Sequence, residues 1–536
     1  MTDGTNLKTL VLLCPDLETL GQGLDLQELE QWLQETMPPV LVQGVPDLVL
    51  RSGELARAVA ASGAARLVLG LSCGQYSTAE VQVEARKAGL DPLGLEVINL
   101  GAYAALVDPR SLATEKAKIL LAAAVARARA YQGSQAQNVK PCLPTRLGRR
   151  SLFNLSLLEY RPVPSIRVEC CAAAYGCEQC VRVCPRGALG GINSRISLKK
   201  SLCESCGLCL TACPQEAVEF PGYAPTQLAA QITTLLDPDV GTLQPRAILF
   251  TCRRGARALE GLARRGKIYP VDWLPVQMPC LGMVSPAWIL ACLSLGARAV
   301  GLVSCPGHCP FGQDEIIEGR VTFCRELLRR LDGSYQTVSL LRLADLREPK
   351  SIQAQAPSTR TRQHKAFVPR TCSFPSIDPQ SAAEVFLHLA QVDGATAEVS
   401  LTHPNSPFGV VEVTDGCTAC GMCAVACSTG ALALEREDGN IALTFDASLC
   451  MACAQCLPTC PEASSQVLQL QRITDLQRLS QGRVVLYQDQ DRRCDACGAP
   501  IASAQMLRRM ATLLGDESSI ASLITRYCPE CRQLFG

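Results

Sequence analysis

Four runs of closely spaced cysteines constrain this chain more than any other feature of its sequence. The runs have the spacing C-x2-C-x2-C-x3-C or a near variant of it, and they form two pairs, within residues 171–213 and 417–460. Short gaps of this kind bring several thiolates within a few ångströms of one another, as a metal centre requires. The chain has 31 cysteines, its opening residues lack the pattern of a signal peptide, and reducing compartments disfavour disulfides. The sequence therefore predicts metal ligation.

Two runs match the bacterial dicluster ferredoxin pattern in full, including a proline after the last cysteine. They are Cys203, Cys206, Cys209 and Cys213 before Pro214, and Cys450, Cys453, Cys456 and Cys460 before Pro461. The third run is Cys417, Cys420, Cys423 and Cys427, followed by Ser428. The fourth is Cys177, Cys180 and Cys184 before Pro185. It has Ala174 where its first cysteine should be, so Cys171 or its neighbour Cys170 must replace that ligand across a longer loop.

In such pairs, three cysteines of one run bind one cluster and the fourth binds the other. The pattern predicts four [4Fe–4S] clusters in two dicluster ferredoxin domains, at residues 163–222 and 408–475. The predicted ligand sets are Cys171, Cys177, Cys180 and Cys213; Cys203, Cys206, Cys209 and Cys184; Cys417, Cys420, Cys423 and Cys460; and Cys450, Cys453, Cys456 and Cys427. The alternative, four zinc knuckles, is disfavoured because zinc sites rarely use this tandem repeat.

Between the two pairs, residues 243–348 alternate short apolar strands with helices, which predicts a flavodoxin-like α/β domain. Cys252, Cys280 and Cys305 end predicted strands, and Cys309 follows closely, so one sheet edge could gather all four. The stretch VQMPCLGMVSPAWILACLSLGARAVGLVSCPGHCPFG resembles the delta subunit of methyl-viologen-reducing hydrogenase. The resemblance implies one [2Fe–2S] cluster on these four cysteines and a relay of electrons to heterodisulfide reductase.

Two departures from that family are visible. Gly255 stands where the family has the second cysteine of a C-x2-C pair, and the pair Cys305 and Cys309 is one residue closer than in the family. Two alternatives therefore remain open: a cluster-free flavodoxin-like domain with buried cysteines, and a role for the adjacent His308 as a ligand or hydrogen-bond donor.

Residues 1–132 also alternate strands and helices, which predicts a Rossmann-like α/β domain with a largely parallel sheet. The predicted strands are Leu7–Leu13, Val40–Val42, Arg66–Leu71 and Leu95–Leu100, and a helix is predicted from about Leu112 to Ala130. The stretch from Arg66 to Ala130 resembles the N-terminal domain of the flavin-binding A component of heterodisulfide reductase. Cys14 and Cys73 correspond to family cysteines, but two thiols cannot hold a cubane, so this domain is expected to lack a cluster. No G-x-G-x-x-G follows a strand, so no dinucleotide fingerprint is present.

The last segment, residues 483–536, carries two C-x2-C knuckles separated by about thirty residues. Its cysteines are Cys494, Cys497, Cys528 and Cys531. Such a set makes a closed tetrahedral thiolate site, which predicts a zinc-ribbon-like tail. Rubredoxin-type iron is the alternative, although the helical stretch between the knuckles lacks the aromatic core that rubredoxin packs.

The remaining segments are predicted to connect these domains: a linker at 133–162, and a linker with a helix at 349–407. The net charge of +1 gives no reason to expect nucleic acid as a partner. No apolar run approaches the roughly 18 residues needed to span a bilayer. The sequence thus predicts a cytoplasmic protein without direct membrane insertion.

Neither a catalytic Ser-His-Asp set, nor paired carboxylates, nor a P-loop is visible in the sequence. One-electron carriers alone can neither take nor give a hydride, so chemistry must occur on partners. We therefore expect a non-catalytic electron-transfer subunit between a hydrogenase-type or formate dehydrogenase-type donor and a heterodisulfide-reductase-like or ferredoxin-linked acceptor. The alternatives are an iron–sulfur redox sensor and an oxidoreductase subunit that borrows a flavin.

Overall fold

The computed structural model divides the chain into two compact units. The first comprises Met1–Val168, Cys180–Gly190 and Ile196–Ile377, and the second comprises Glu169–Gln179, Gly191–Arg195 and Asp378–Gly536. The structure describes residues 8–14, 24–44, 53–71, 78–104, 107–108, 110–142, 158–263, 269–305, 307–331, 337–342, 373–392, 398–437, 439–515 and 519–535.

The first unit begins with a four-stranded parallel sheet. In spatial order its strands are Val40–Gly44, Thr9–Leu13, Arg66–Leu71 and Leu95–Asn99. Its helices are Leu26–Thr36, Glu54–Ser62, Thr78–Lys87, Leu100–Tyr103 and Ala113–Arg129. The strand Thr9–Leu13 is buried along its whole length, as expected of an inner strand covered on both faces. The described strands and the last helix agree with the sequence prediction to within two residues.

The helix Ala113–Arg129 packs against this sheet and against the helix Pro225–Leu236. Its many alanines allow the close approach that burial on nearly every face requires. Arg127 on this helix contacts both the N-terminal sheet and the first dicluster segment. Its guanidinium pairs with Glu96 at 3.0 Å, and it donates to the carbonyl of Gly222 at 2.6 Å. The first dicluster segment is thereby attached to the N-terminal sheet.

A second parallel sheet in the first unit has the same strand order. Its strands are Trp273–Met278, Ala247–Cys252, Val300–Val303 and Val338–Leu341. Its helices are Arg253–Ala263, Pro286–Ser294 and Asp314–Leu331. This order is the one found in flavodoxin-like sheets, whose binding crevice lies at the carboxyl ends of the strands. Cys252, Cys280 and Cys305 all lie at or just beyond such ends.

Short elements surround the first pair of cysteine runs. The strands are Val107–Asp108, Val139–Cys142, Glu159–Pro162, Ser165–Ile166, Leu189–Ile192, Arg195–Leu198, Val218–Glu219 and Tyr269–Pro270. The helices are Gln179–Arg182 and Leu208–Thr211. This segment is divided between the two units, because Glu169–Gln179 belongs to the second unit. The domain boundaries given by the sequence stay predictions.

The second unit contains two antiparallel sheets. The first has the order Ser400–Thr402, Leu468–Asp475 and Gly409–Val413, and the second has the order Leu432–Glu437, Asn440–Asp446, Arg483–Arg493 and Pro500–Ser503. Its helices are Pro379–Val392, Met422–Ala426, Cys456–Thr459, Leu476–Gln481, Ala504–Leu514, Ser519–Arg526 and Pro529–Phe535. Two strands of the second sheet belong to the C-terminal segment, so that segment continues the sheet of the second ferredoxin-type region.

Among the helices that the structure describes, none combines the length and the apolar character that crossing a membrane would require.

Candidate metal centres

The three complete cysteine runs share one backbone course. In each run, the residues on both sides of the second cysteine have positive φ. Those before it are Ser205, Ala419 and Ala452, with φ of 54°, 46° and 54°. Those after it are Gly207, Gly421 and Ala454, with φ of 76°, 77° and 62°. Left-handed residues without glycine's freedom cost about 1–3 kcal/mol each and cluster at functional sites. Here they wind the loop inward around its thiols.

The Cys203 quartet (Cys184, Cys203, Cys206 and Cys209) lies in the first unit. Burial, together with the charges of Cys203 and Cys184, raises the pKa of Cys206 to about 11. Burial also raises the pKa of Cys209 well above its usual range, and the other three thiols add to this effect. The hydroxyl of Ser205 inside the loop is 1% exposed, and no partner for it lies among the described residues. A buried hydroxyl donor beside four cysteine sulfurs fits a site in which the sulfur of a bound cluster would accept its hydrogen bond.

The Cys171 set (Cys171, Cys177, Cys180 and Cys213) keeps part of the same loop course. Gly176 has φ of 83°, in the position that Ser205 holds in the complete run. The short 3-10 helix Ala172–Tyr175 occupies the place of the missing first cysteine, and Cys171 directly precedes it. Cys170 is exposed, whereas Cys171 is half-buried. This difference favours Cys171 as the ligand.

In the second unit, the Cys417 quartet (Cys417, Cys420, Cys423 and Cys460) lines one small pocket. Burial raises the pKa of Cys423 to about 12, and the charges of the other three thiols add to this effect. Four thiol donors converging on one cavity are the donor set that a [4Fe–4S] cluster uses.

The Cys450 quartet (Cys427, Cys450, Cys453 and Cys456) lies beside it. Burial raises the pKa of Cys456 to about 12, followed by the charges of the other three thiols and of Cys423. Cys460 thus lies with the run of Cys417, and Cys427 lies with the run of Cys450. The exchange of fourth cysteines as cluster ligands stays a prediction.

Backbone N–H groups point at the fourth cysteine of three runs. The pairs are Ala188 N to Cys184 Sγ at 3.2 Å, Ala217 N to Cys213 Sγ at 3.2 Å, and Leu432 N to Cys427 Sγ at 3.4 Å. Such donors stabilise thiolate charge and raise cluster potentials. In the run of Cys417, where Ser428 replaces the proline, the donor lies five residues after the fourth cysteine, whereas it lies four residues after it in the other two runs.

The Cys252 quartet (Cys252, Cys280, Cys305 and Cys309) lies at the carboxyl edge of the second parallel sheet. Cys252 Sγ and Cys305 Sγ are 3.3 Å apart. The hydrogen bond with Cys305 lowers the pKa of Cys252 to about 6, and the bond with Cys280 lowers that of Cys309 to about 6. Two thiol–thiolate pairs converge, and the thiolate is the form that binds metal.

The residues around this quartet explain how it tolerates its departures from the family. Gly255 N donates to Cys252 Sγ at 3.3 Å, so the position of the missing cysteine supplies a hydrogen bond instead. Gly282 N donates in the same way to Cys280 Sγ at 3.4 Å. The side chain of His308 is fully exposed, with Nδ1 3.8 Å from Asp314 Oδ2, which disfavours it as a ligand.

The Cys252 and Cys203 quartets are neighbours. Leu208 packs so closely on Gly282 that a Cβ added at Gly282 would lie 2.7 Å from Leu208 Cδ2. Met283 packs equally closely on Gly207. The charge of Cys206 is among the influences that raise the pKa of Cys280, after its hydrogen bond with Cys309 and its burial.

The Cys494 quartet (Cys494, Cys497, Cys528 and Cys531) has its four Sγ atoms within 4.8 Å of one another. Among the described residues, Ala499, Ile501 and Tyr527 pack around the cysteines as a small apolar cluster. A core this small depends on a bound ion for stability, so the donor set fits a structural metal. The identity of that metal, zinc or iron, stays a prediction.

Two parts of the chain match known families. Residues 247–355 match the family model described as methyl-viologen-reducing hydrogenase, delta subunit. Residues 416–464 match the model of a 4Fe–4S dicluster domain. The chain carries a hydrogenase delta-subunit domain and a 4Fe–4S dicluster domain. Both were predicted from the sequence and are confirmed, whereas the N-terminal resemblance to the A component of heterodisulfide reductase stays a prediction.

Two curated relatives each match a short stretch of the chain. Formate hydrogenlyase subunit 2 of Escherichia coli (strain K12) is 42% identical over 55 residues, which cover 10% of this chain and 27% of that protein. The B component of the ion-translocating oxidoreductase complex of Methanosarcina acetivorans is 32% identical over 55 residues, which cover 10% of this chain and 21% of that protein. The chain thus spans about a quarter of the length of these relatives.

Other cysteines lie apart from the quartets. Cys292 and Cys324 are fully buried beside the sheet of the delta-subunit domain, as core residues are. Cys14 is also buried, and Cys73, its predicted companion, lies outside the described residues. Sequence reasoning missed two polar residues beside the quartets, Arg320 and Gln455, because nothing in a cysteine pattern points to them.

Proposed function

We propose that the chain is an iron–sulfur electron-transfer subunit of a redox complex, with its metal centres arranged in series. The observation that supports this best is the proximity of successive thiol sets. Cys206 influences Cys280 in the first unit, and Cys423 influences Cys456 in the second. Each of these four quartets thus has a neighbour, as a relay requires.

The thiol sets fit four [4Fe–4S] clusters and one [2Fe–2S] cluster, each of which exchanges single electrons when bound. The protein holds the thiolates in place, donates backbone N–H groups to them, and buries them among apolar side chains. Cys209, Cys423 and Cys456 are at most 8% exposed, which keeps water and oxidants from the sites.

One end of the series is the delta-subunit domain, which we propose as the docking site of the electron source. Matches to hydrogenase and formate hydrogenlyase subunits support a hydrogenase-type or formate dehydrogenase-type donor. The predicted resemblance of the N-terminal sheet supports a heterodisulfide-reductase-like partner on the same unit.

The other end is the Cys417 quartet. Met422 and Val425 lie on the helix that carries Cys423, and they are 47% and 64% exposed. Apolar side chains next to a cluster site are the kind of surface that a partner protein covers. We propose that a protein with its own electron-carrying centre near an apolar surface docks here.

Metal content and electron transfer test this function together. Anaerobically purified protein should contain about eighteen iron atoms, sixteen from four [4Fe–4S] clusters and two from one [2Fe–2S] cluster. Cys280→Ser should abolish electron transfer to a co-purifying partner but leave the four [4Fe–4S] clusters reducible by dithionite. Cys170→Ser, at an exposed cysteine outside every quartet, is the matched control.

Two results would contradict the proposal. Iron near ten atoms per chain after full reconstitution would exclude four [4Fe–4S] clusters. Hydrogenase, formate dehydrogenase or disulfide reductase activity of the isolated chain would show an active site where we propose none.

A further inference from the structure

Two glutamines connect the loop of Cys177 with the loop of Cys453 inside the second unit. Gln455 Nε2 donates to the carbonyl oxygen of Gly176 at 3.1 Å. Gln179 Nε2 donates back to the carbonyl oxygen of Cys453 at 3.5 Å. The two bonds are reciprocal, although the residues that they join are more than 270 positions apart in the chain.

Gln455 touches both sides of this contact. Its own backbone N–H donates to the sulfur of Cys453. Cys177 and Cys453 lie close enough for their charges to interact. The side chain of Gln455 is 8% exposed, and a buried amide is held by its hydrogen bonds.

The glutamines occupy the same position in their runs, directly before the third cysteine. In the run of Cys203 this position is Leu208, which packs against Gly282 beside Cys280. In the run of Cys417 it is Met422, which is exposed. Three of these four positions therefore face another thiol set of the same chain.

We infer that Gln455 and Gln179 form the junction through which electrons pass between the two dicluster segments, acting as positioning residues that hold the Cys177 and Cys453 loops together. The inference rests on the proposed function and deepens it, because it gives the relay an internal order. Within the second unit, the loop of Cys177 is followed by the Cys450 quartet and then by the Cys417 quartet.

The test removes each donor without changing side-chain length. Gln455→Met and Gln179→Met each delete one bond, and the double variant deletes both. Gln469→Met, at an exposed glutamine on the strand Leu468–Asp475, is the matched control. Iron content, spin–spin coupling between reduced clusters by electron paramagnetic resonance, and electron redistribution after partial reduction by dithionite are measured on the full chain.

We expect full iron content in all variants, weaker coupling in both single variants, and redistribution slowed by about tenfold in the double variant. If spin–spin coupling and the rate of electron redistribution are both unchanged in the double variant, the two glutamines do not form a junction for electron transfer. If Gln455→Met lowers iron content, the inference is tested with Gln179→Met alone, because that variant leaves the run of Cys450 unchanged. A wild-type chain whose clusters do not exchange electrons at all would instead refute the proposed function.

Discussion

Arg320 Nη1 donates to the carbonyl oxygen of Gly282 at 2.6 Å, two residues beyond Cys280. It also donates to the carbonyl of Val284 at 2.9 Å, so both bonds fix the guanidinium beside the Cys252 quartet. Burial lowers the pKa of Arg320 to about 10, and the charge of Cys280 opposes that change. Arg320 therefore stays protonated at neutral pH, and its positive charge favours the more negative, reduced state of a cluster held there.

Replacement of Arg320 by methionine should lower the reduction potential of the centre on the Cys252 quartet. We expect a decrease of about 60 mV, which is a tenfold change in the equilibrium constant for one electron. The potential is measured by redox titration followed by electron paramagnetic resonance. Arg325→Met is the control, because Arg325 lies on the same helix and donates to Val338 O at 2.7 Å. A shift of equal size in both variants would rule out the proposed charge effect.

A second prediction concerns the run that lacks its first cysteine. Cys171→Ser should lose or convert one [4Fe–4S] cluster, a loss of up to about four iron atoms per chain, whereas Cys170→Ser should leave iron content unchanged. The physical reason is that Cys171 is half-buried directly before the helix Ala172–Tyr175, and Cys170 is exposed. Iron analysis after anaerobic reconstitution measures both variants.

If Cys170→Ser loses iron and Cys171→Ser does not, then Cys170 is the cluster ligand in place of Cys171. If both variants keep sixteen cubane irons, the site has a ligand that is not cysteine, and the assignment of the Cys171 set is wrong.

Local signals in the sequence predicted much of what the structure contains. The strand Arg66–Leu71 agrees residue for residue, because an apolar run bounded by polar residues is a local property. The quartets around Cys417 and Cys450 follow from spacing, because short loops restrict where their thiols can point. The carboxyl ends of parallel strands likewise predicted that Cys252 and Cys305 would meet.

Contacts between distant segments could not be predicted in the same way. Gln455 and Gly176 are 279 positions apart, and a lone glutamine has no periodicity or spacing that indicates its partner. Arg320 lies on an ordinary amphipathic helix, where an arginine most often faces solvent. The pairing of Asn440–Asp446 with Arg483–Arg493 joins two segments that the sequence assigns to separate domains.

A third prediction concerns the metal of the Cys494 quartet. Cys497→Ser should remove one metal equivalent per chain, with iron in the other sites unchanged, and should loosen the segment after Arg493 because its apolar cluster is so small. Metal analysis and limited proteolysis measure the two effects. Ser503→Ala is the comparison, since Ser503 Oγ donates to Thr418 O at 2.5 Å and accepts from Met506 N at 3.0 Å.

Ser503→Ala should keep the metal but cost about 1 kcal/mol through the lost helix cap. Loss of two or more iron atoms from Cys497→Ser would show that the tail shares metal with a neighbouring cluster site. If the one metal equivalent that Cys497→Ser loses is iron, the Cys494 quartet holds a rubredoxin-type centre and not zinc.

The last prediction concerns the exposed end of the series. Met422→Glu places a charge on the helix that carries Cys423, next to the exposed Val425. A desolvated charge in an interface is costly, so transfer to the partner at this end should slow by about tenfold or more. Reduction of all clusters by dithionite, which needs no docking, should remain as in the wild type. Leu513→Glu changes an apolar side chain that is 70% exposed on the helix Ala504–Leu514, and serves as the matched control. If Met422→Glu and Leu513→Glu transfer electrons at the same rate, electrons leave the chain elsewhere.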